Sequence, residues 1–529
     1  MSPQRRRGIH MIAPIAVIGL ALAGCAGNGG SAAPAGDGAA AEADPSAVLR
    51  VVTPMPSRSL DPIMQTSAGE QSFTSLLYDR LLVVDSNDVI LPGLATAWSF
   101  ADDGSYLELQ LRDDVMFHDG TKLDAQAVKI NLDRGRDTPD SSVRQYLTDI
   151  TSVDAVDAHT VRINLVEGRG AGLPGVLTTN VGMIVSPAAI AGSVSDIATG
   201  KVDAGSGPYV VDSFVANEKA VFTASEGYWD DSVGQLAGIQ IENVPDAITR
   251  LNAVRTGAAD FASISSPTDI LQAEQLAKTG EVRTTDVRFR ASLGLMINSS
   301  KGDMAQPEAR QAVAHAIDPA GINGLFSDRC TPRSQFYPDS EWPAIQDWNG
   351  AYPYDPEKAK ELVSKLGSVS IEITTPAGSN ADQAGNAIQA QLTEAGINAE
   401  LSPVPVSEGT SRYIAGDLQS FVHAAVAPHA DPAGTVNSYI TSSYKLAALP
   451  EQLAEVSPLA DQAANPLLSQ EERAGLYQQI WKAALDGAWY VPICSIEAMY
   501  VHSDKLMNPE NIPWGNAGIQ DFRFLELAK

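Results

Sequence analysis

Apolar and polar positions along this chain change period repeatedly, and each change marks an element. Val48-Leu49-Arg50-Val51-Val52 is the first stretch that reads as folded structure, a strand. Leu81 to Val84 and Val89 to Leu91 flank the turn residues Asp85-Ser86-Asn87-Asp88, which predicts a hairpin. Tyr106, Leu107, Leu109 and Leu111 continue in extended style, and Val161 to Val166 reads as another strand. At Asp124 the period becomes helical: its carboxylate is placed to cap free backbone amides while Leu123 staples onto Val128. Arg310 to Ile317 sets Val313, Ala316 and Ile317 on one helical face, a core pattern that Asp318-Pro319 ends. Asp355-Pro356 opens a further helix that Gly367 closes. Ser368 to Ile373 alternates as a strand, Gln383 to Ala395 is helical up to Gly396, and Asn398 to Leu401 is extended again. Ser469 and Glu472 form a capping box for a helix to Gly487, and Trp489 to Val501 is strand-rich. Strands alternating with helices predict an α/β fold, and no repeat of solenoid length is visible.

The N-terminus follows different rules. Arg5-Arg6-Arg7, an apolar run from Met11 to Leu22 and then small residues have the order of a secretory signal, too short to span a bilayer. Leu22-Ala23-Gly24-Cys25 resembles the bacterial lipobox, which makes residues 1–24 a lipoprotein signal peptide and Cys25 the acylated anchor. Residues 25–47, rich in Gly, Ala, Ser and Pro, have almost nothing to bury and read as a flexible tether with about 25 Å of slack.

Composition narrows the partners. Removal of residues 1–24 leaves 33 basic against 64 acidic side chains, so a formal charge of −28 becomes −31. Such a surface repels phosphate backbones, and no Lys/Arg cluster offsets it, which argues against nucleic acid. A length of 529 residues with 44% hydrophobic side chains suits a body of two or three compact units. Cys330 and Cys494 remain, either as a disulfide permitted by export or as two buried thiols.

Catalytic signatures are missing. Gly170-Ala171-Gly172-Leu173-Pro174-Gly175 matches the glycine spacing of a dinucleotide fingerprint, but Pro174 stands where amides must face a pyrophosphate. Gly409-Thr410-Ser411-Arg412-Tyr413 misses the nucleophile elbow, and no histidine is followed by glutamate as a zinc protease requires. His423 and His429 can bind metal, but with no third ligand in the pattern they read better as loop or pocket-wall residues. No cofactor and no catalysis are expected.

Several separated blocks carry a family resemblance. Leu76-Leu77-Tyr78-Asp79-Arg80-Leu81 with Leu91-Pro92-Gly93-Leu94-Ala95-Thr96-Ala97-Trp98 resembles the early signature of the family 5 extracellular solute-binding proteins of ABC importers. Leu111-Arg112-Asp113-Asp114-Val115-Met116-Phe117-His118-Asp119-Gly120, Gly205-Ser206-Gly207-Pro208-Tyr209 and Tyr228-Trp229 are similar to its later blocks. Arg310 to Asp318, Tyr354 to Ala359 and the terminal Asp521-Phe522-Arg523 continue the order. The resemblance implies a two-lobed periplasmic-binding-protein-like fold of type II. Lobe I would be residues 48–290 with an extra subdomain near 76–204, lobe II 291–494, and 495–529 a return to lobe I. The lobes would close about a hinge on a peptide-like or other polar organic solute, and the loaded monomer would dock on membrane permease subunits.

Peptide-binding members of that family carry an aspartate that pairs with the ligand's ammonium. Aligned on Asp431-Pro432, its place here is taken by Pro428, with Asp431 as a shifted candidate or a plain helix cap. His429 and His423 are candidates for polar ligand contacts. Arg58, and Arg290 beside Phe289, fall in segments that line the cleft in relatives, where a guanidinium can receive a carboxylate. Alternatives of other classes are a binder of nickel or a metal chelate, a secreted lipid-anchored hydrolase, and a surface sensor on the same fold.

Overall fold

The computed structural model describes residues 42–85, 89–288, 292–425, 431–512 and 519–529. Its helices begin where side chains satisfy the free amides. Asp124 accepts from Ala127 N at 2.8 Å and heads Ala125–Asp137, with Leu123 and Val128 buried. Asp355 heads Pro356–Leu366, which ends at Gly367 with φ 83°. The capping box of Ser469 and Glu472 opens Gln470–Asp486. Two elements differ from expectation: the strand is Ser370–Pro376, and the helix expected from Gln383 spans Asn380–Glu394, starting three residues earlier because Ser379 caps it.

One sheet runs through both lobes. In lobe I, Val48–Thr53 lies parallel to Gly238–Asn243 and Phe261–Ile264, with Lys219–Ala224 and Tyr209–Val215 beyond. In lobe II, Ser370–Pro376 lies parallel to Asn398–Val404 on one side and Ser420–Ala425 on the other, followed by Ser292–Ile297. The strand Tyr490–His502 belongs to both. Its first half pairs with Ser292–Ile297, and its second half with Phe261–Ile264 and Arg283–Arg288. Cys330–Pro332 pairs at the change of partner, where Cys330 and Cys494 are disulfide-bonded with Cα atoms 5.2 Å apart. Beside this bond, the Arg329 guanidinium reaches Glu497 at 3.0 Å and contacts Glu274 of lobe I.

A third core belongs to an antiparallel sheet of Ala95–Phe100, Tyr106–Leu111, Thr160–Leu165 and Ile150–Ala155, packed on Ala125–Asp137. It is narrower than the limits 76–204 inferred from resemblance: Leu76, Leu77, Tyr78, Val185, Ile197 and Ala204 pack into the lobe I core instead. The glycine tract follows Thr160–Leu165, an antiparallel strand, and the helix after it, Leu173–Val176, has four residues. No parallel crossover presents amides to a nucleotide there.

The signature blocks converge on a buried ionic knot in lobe I. Asp79 accepts from Trp229 Nε1 at 2.8 Å, Tyr228 Oη and Arg523 Nη1 at 2.9 Å each, and Ser206 Oγ at 3.0 Å. Arg523 also reaches Asp521 at 3.0 Å, and Asp521 holds Arg80. Gly205 is obligatory beside it, since a Cβ would fall 1.8 Å from the carbonyl oxygen of Leu77. The chain's last strand meets its first described residues, with Asp44 N donating to Leu527 O at 2.7 Å and Lys529 N to Glu42 O at 3.1 Å.

Candidate functional site

A cavity of about 450 Å³ lies between the extra subdomain and lobe II. The subdomain contributes Tyr146, Asp149, Arg169 and Leu173, and lobe II contributes Asn437, Asp461 and Tyr477 among others. The lobe II wall is shaped by Asp431, which accepts from Ala433 N at 2.9 Å and so starts Pro432–Thr435. The chain then widens into a π-helix, Val436–Thr441, that brings Val436, Asn437 and Thr441 to the cavity. Such wide turns concentrate at functional sites. Across the gap, Ser443 Oγ donates to Gln145 Oε1 at 3.3 Å, and Tyr146 hydrogen-bonds Ser438.

An aromatic wall stands next to this cavity. Tyr439 stacks on Tyr444 at 4.7 Å, and Tyr444 meets His423 at 5.4 Å and Tyr413 at 6.1 Å. Burial, with Tyr146 close by, raises the Tyr444 hydroxyl above its ordinary value. Burial also pushes His423 down to about 4, so its imidazole is neutral near pH 7. His423 keeps some exposed surface, but its Nδ1 is buried and has no hydrogen-bond partner among the described residues, and the same holds for the Tyr413 hydroxyl.

The model of the bacterial extracellular solute-binding proteins, family 5 (middle region), matches residues 89–446. The chain belongs to this family. It is 28% identical over 357 residues to the glutathione-binding protein GsiB of Escherichia coli K12, covering 66% of this chain and 68% of that protein. The Shigella dysenteriae GsiB is 26% identical over 467 residues, covering 85% and 89%. Among solved structures, NikA of Brucella suis in complex with Fe(III)-EDTA superposes with TM-score 0.80 at 23% identity, covering 92% of this chain and 100% of that one. DppA of Helicobacter pylori in complex with the peptide STSA gives 0.78 at 22%, covering 92% and 98%. These solved structures share the fold, two lobes in a mixed α/β arrangement.

With the family established, the residues expected at the ligand separate. Asp431 is filled from within: Arg473 Nη2 donates to both its oxygens at 2.7 Å and Tyr477 Oη to one at 3.3 Å. Only 8% of the residue is exposed, so a ligand ammonium would have to displace Arg473. Arg58 is committed to Glu70 at 2.9 Å and to Thr66 Oγ1 at 2.9 Å, with its side chain 58% exposed. Phe289, Arg290, Pro428 and His429 lie outside the described residues, as does Cys25. Among the described residues no group of three metal-binding side chains occurs, and no helix is long and apolar enough to cross a membrane.

Sequence reasoning passed over Arg473. It sits in the first turns of Gln470–Asp486, where the helix dipole disfavours a cation. That misplacement was a readable signal of an acidic partner. The aromatics of the wall carried no such mark, because their period resembles any core.

Proposed function

We propose that this protein is the lipid-anchored capture component of an ABC importer, closing its lobes on a peptide-like or other polar organic solute and delivering it to a membrane permease. The carrying observation is the 450 Å³ cavity, walled on one side by the extra subdomain and on the other by lobe II, whose sheets are separate among the described residues. Its volume lies in the range of small-molecule sites, roughly 300–1,000 Å³. Relatives named for glutathione and for a peptide complex support a peptide-like solute. The ligand's amine, if it has one, is not received by Asp431, whose acceptor positions are occupied. Nothing in this assignment converts the solute, and transport energy comes from a separate ATPase.

Native mass spectrometry of the purified protein, then calorimetry with di- and tripeptides, glutathione and metal chelates, tests this reading. Retention of an unaltered solute with a raised melting temperature is expected by linkage. Conversion of a panel compound to product without a thermal shift would point to a hydrolase instead. Cys25→Ser should move the protein from the membrane fraction to the soluble one.

A second reading is a metal chelate, favoured by the buried Nδ1 of His423, which has no hydrogen-bond partner among the described residues. It predicts stoichiometric metal in protein purified from rich medium and loss of that metal in His423→Ala.

A further inference from the structure

The glycine tract that imitates a nucleotide fingerprint touches lobe II. Gly170 has φ 102°, a left-handed conformation that turns the next residues outward from Thr160–Leu165. Ala171 N then donates to Ala464 O at 2.9 Å. Gly172 follows, and a Cβ on it would lie 2.9 Å from the Cβ of Ala433 and 3.2 Å from Asp431 Oδ1. Arg169 contacts Asp461 of lobe II and stands 3.7 Å from Asp149 of its own subdomain.

The receiving surface is built for this loop. Arg473 Nε donates to Ala463 O at 2.8 Å while its Nη2 grips Asp431, so one buried arginine fixes both the carbonyl segment that meets Ala171 and the carboxylate that meets Gly172. Arg169, Gly172, Asp461 and Ala464 also line the 450 Å³ cavity. The contact is therefore the cavity's rim.

We infer that residues 168–172 form a latch whose seating on the Asp431–Arg473 pair closes the interlobe cavity, with Gly172 and Arg169 as positioning residues; the inference rests on the lobe-closure reading above. The latch is made weak. Its ion pair has side chains 42% and 58% exposed, the kind worth about 0–1 kcal/mol in water. Beyond it the latch makes one backbone hydrogen bond and one glycine contact, and the same gap is also crossed by the Ser443–Gln145 and Tyr146–Ser438 hydrogen bonds already described. A seal of that strength opens readily, so a solute bound in the cavity can shift the balance toward closure.

The absence of a side chain at 172 is what permits the approach. Gly172→Val places carbons where Ala433 and Asp431 already stand, and an overpacked contact of this type lowers the closed population by about tenfold or more. Arg169→Asp sets like charges against Asp461 and does the same without touching any core.

Pulsed electron-spin distances between labels at Thr151 of the subdomain and Glu455 of lobe II read this directly in the full chain, without solute, at low salt and at 1 M NaCl. The wild type should show a closed population that shrinks in high salt. Gly172→Val and Arg169→Asp should deplete it, and the charge swap Arg169→Asp with Asp461→Arg should restore it. Distances in Gly172→Val and Arg169→Asp that match the wild type would overturn the inference, as would a wild-type distance that no salt or variant changes. Repeating the measurement with the solute found by native mass spectrometry separates the two ideas. A wild type that never responds to solute defeats the closure reading; a wild type that responds, with both variants responding equally, defeats the latch alone.

Discussion

Replacing Asp79 with alanine is the sharpest probe of what the family's signature residues do. Asp79 is 3% exposed and takes four donors, from Ser206, Tyr228, Trp229 and Arg523. Losing it strands the Trp229 indole N–H and the Tyr228 hydroxyl. It also removes one of the two carboxylates facing Arg523, which is buried as well. Breaking a buried ion pair from one side costs about 3–5 kcal/mol. Arg523 retains Asp521, so the lower end, about 3 kcal/mol, is expected. For a body of 150–250 residues each kcal/mol moves the midpoint about 2–4 °C, which puts the lobe I transition about 6–12 °C lower. Asp79→Asn keeps an acceptor for Trp229 and should fall roughly midway between the alanine variant and the wild type. Scanning calorimetry gives the midpoint, and ligand calorimetry on the folded variant should give an unchanged affinity, because the knot stands apart from the interlobe cavity. A drop of less than about 2 °C in Asp79→Ala would refute the reasoning. So would a large loss of affinity with an unchanged midpoint, which would make the signature a ligand contact.

Two further outcomes follow from groups already placed. His423 is held at about 4 by burial against an ordinary value of 6.5, so folding favours its neutral form. The stability this confers is complete above pH 6.5 and is lost as pH falls toward 4, by about 3 kcal/mol in all, so His423→Gln should flatten the acid limb of a urea-midpoint profile. An acid limb unchanged in that variant would show that the ring is not buried neutral. The bond between Cys330 and Cys494 closes a loop of 164 residues, for which chain entropy gives a ceiling of about 5 kcal/mol. Reduction, or the double change to serine, should lower the lobe II midpoint and give a thiol titre that rises from zero to two on reduction. Two free thiols in the untreated protein would contradict the bond.

What the sequence disclosed was what local chemistry decides. Asp124, Asp355 with Gly367, and Ser469 with Glu472 announce helix ends because cap and amide are three or four residues apart. Ser379 went unread as a cap because the residues after it, Asn380-Ala381-Asp382, lack an apolar rhythm. The run from Trp489 was legible as extended, and the family resemblance set the crossing between lobes at 494/495 within it, but its individual strand partners, which lie about 200 residues earlier in the chain, were not legible. The site suffered most from that distance. Asp431 and Arg473 are 42 positions apart, and Gly172, which meets Asp431, belongs to another body. The tract follows an antiparallel strand rather than opening a parallel crossover, and its contact with lobe II has no signature in one dimension.

The antiparallel bridge between Ala43 and Ala528 has a practical consequence for anyone who handles this protein. Whatever precedes Glu42 and whatever is appended after Lys529 emerge side by side from lobe I. An affinity tag or fluorescent protein fused after Lys529 would therefore sit beside the chain that enters lobe I at Glu42. Surface-based kinetics captured by that end hold the protein through lobe I, whereas coupling through lysines of lobe II would hold it through the other lobe.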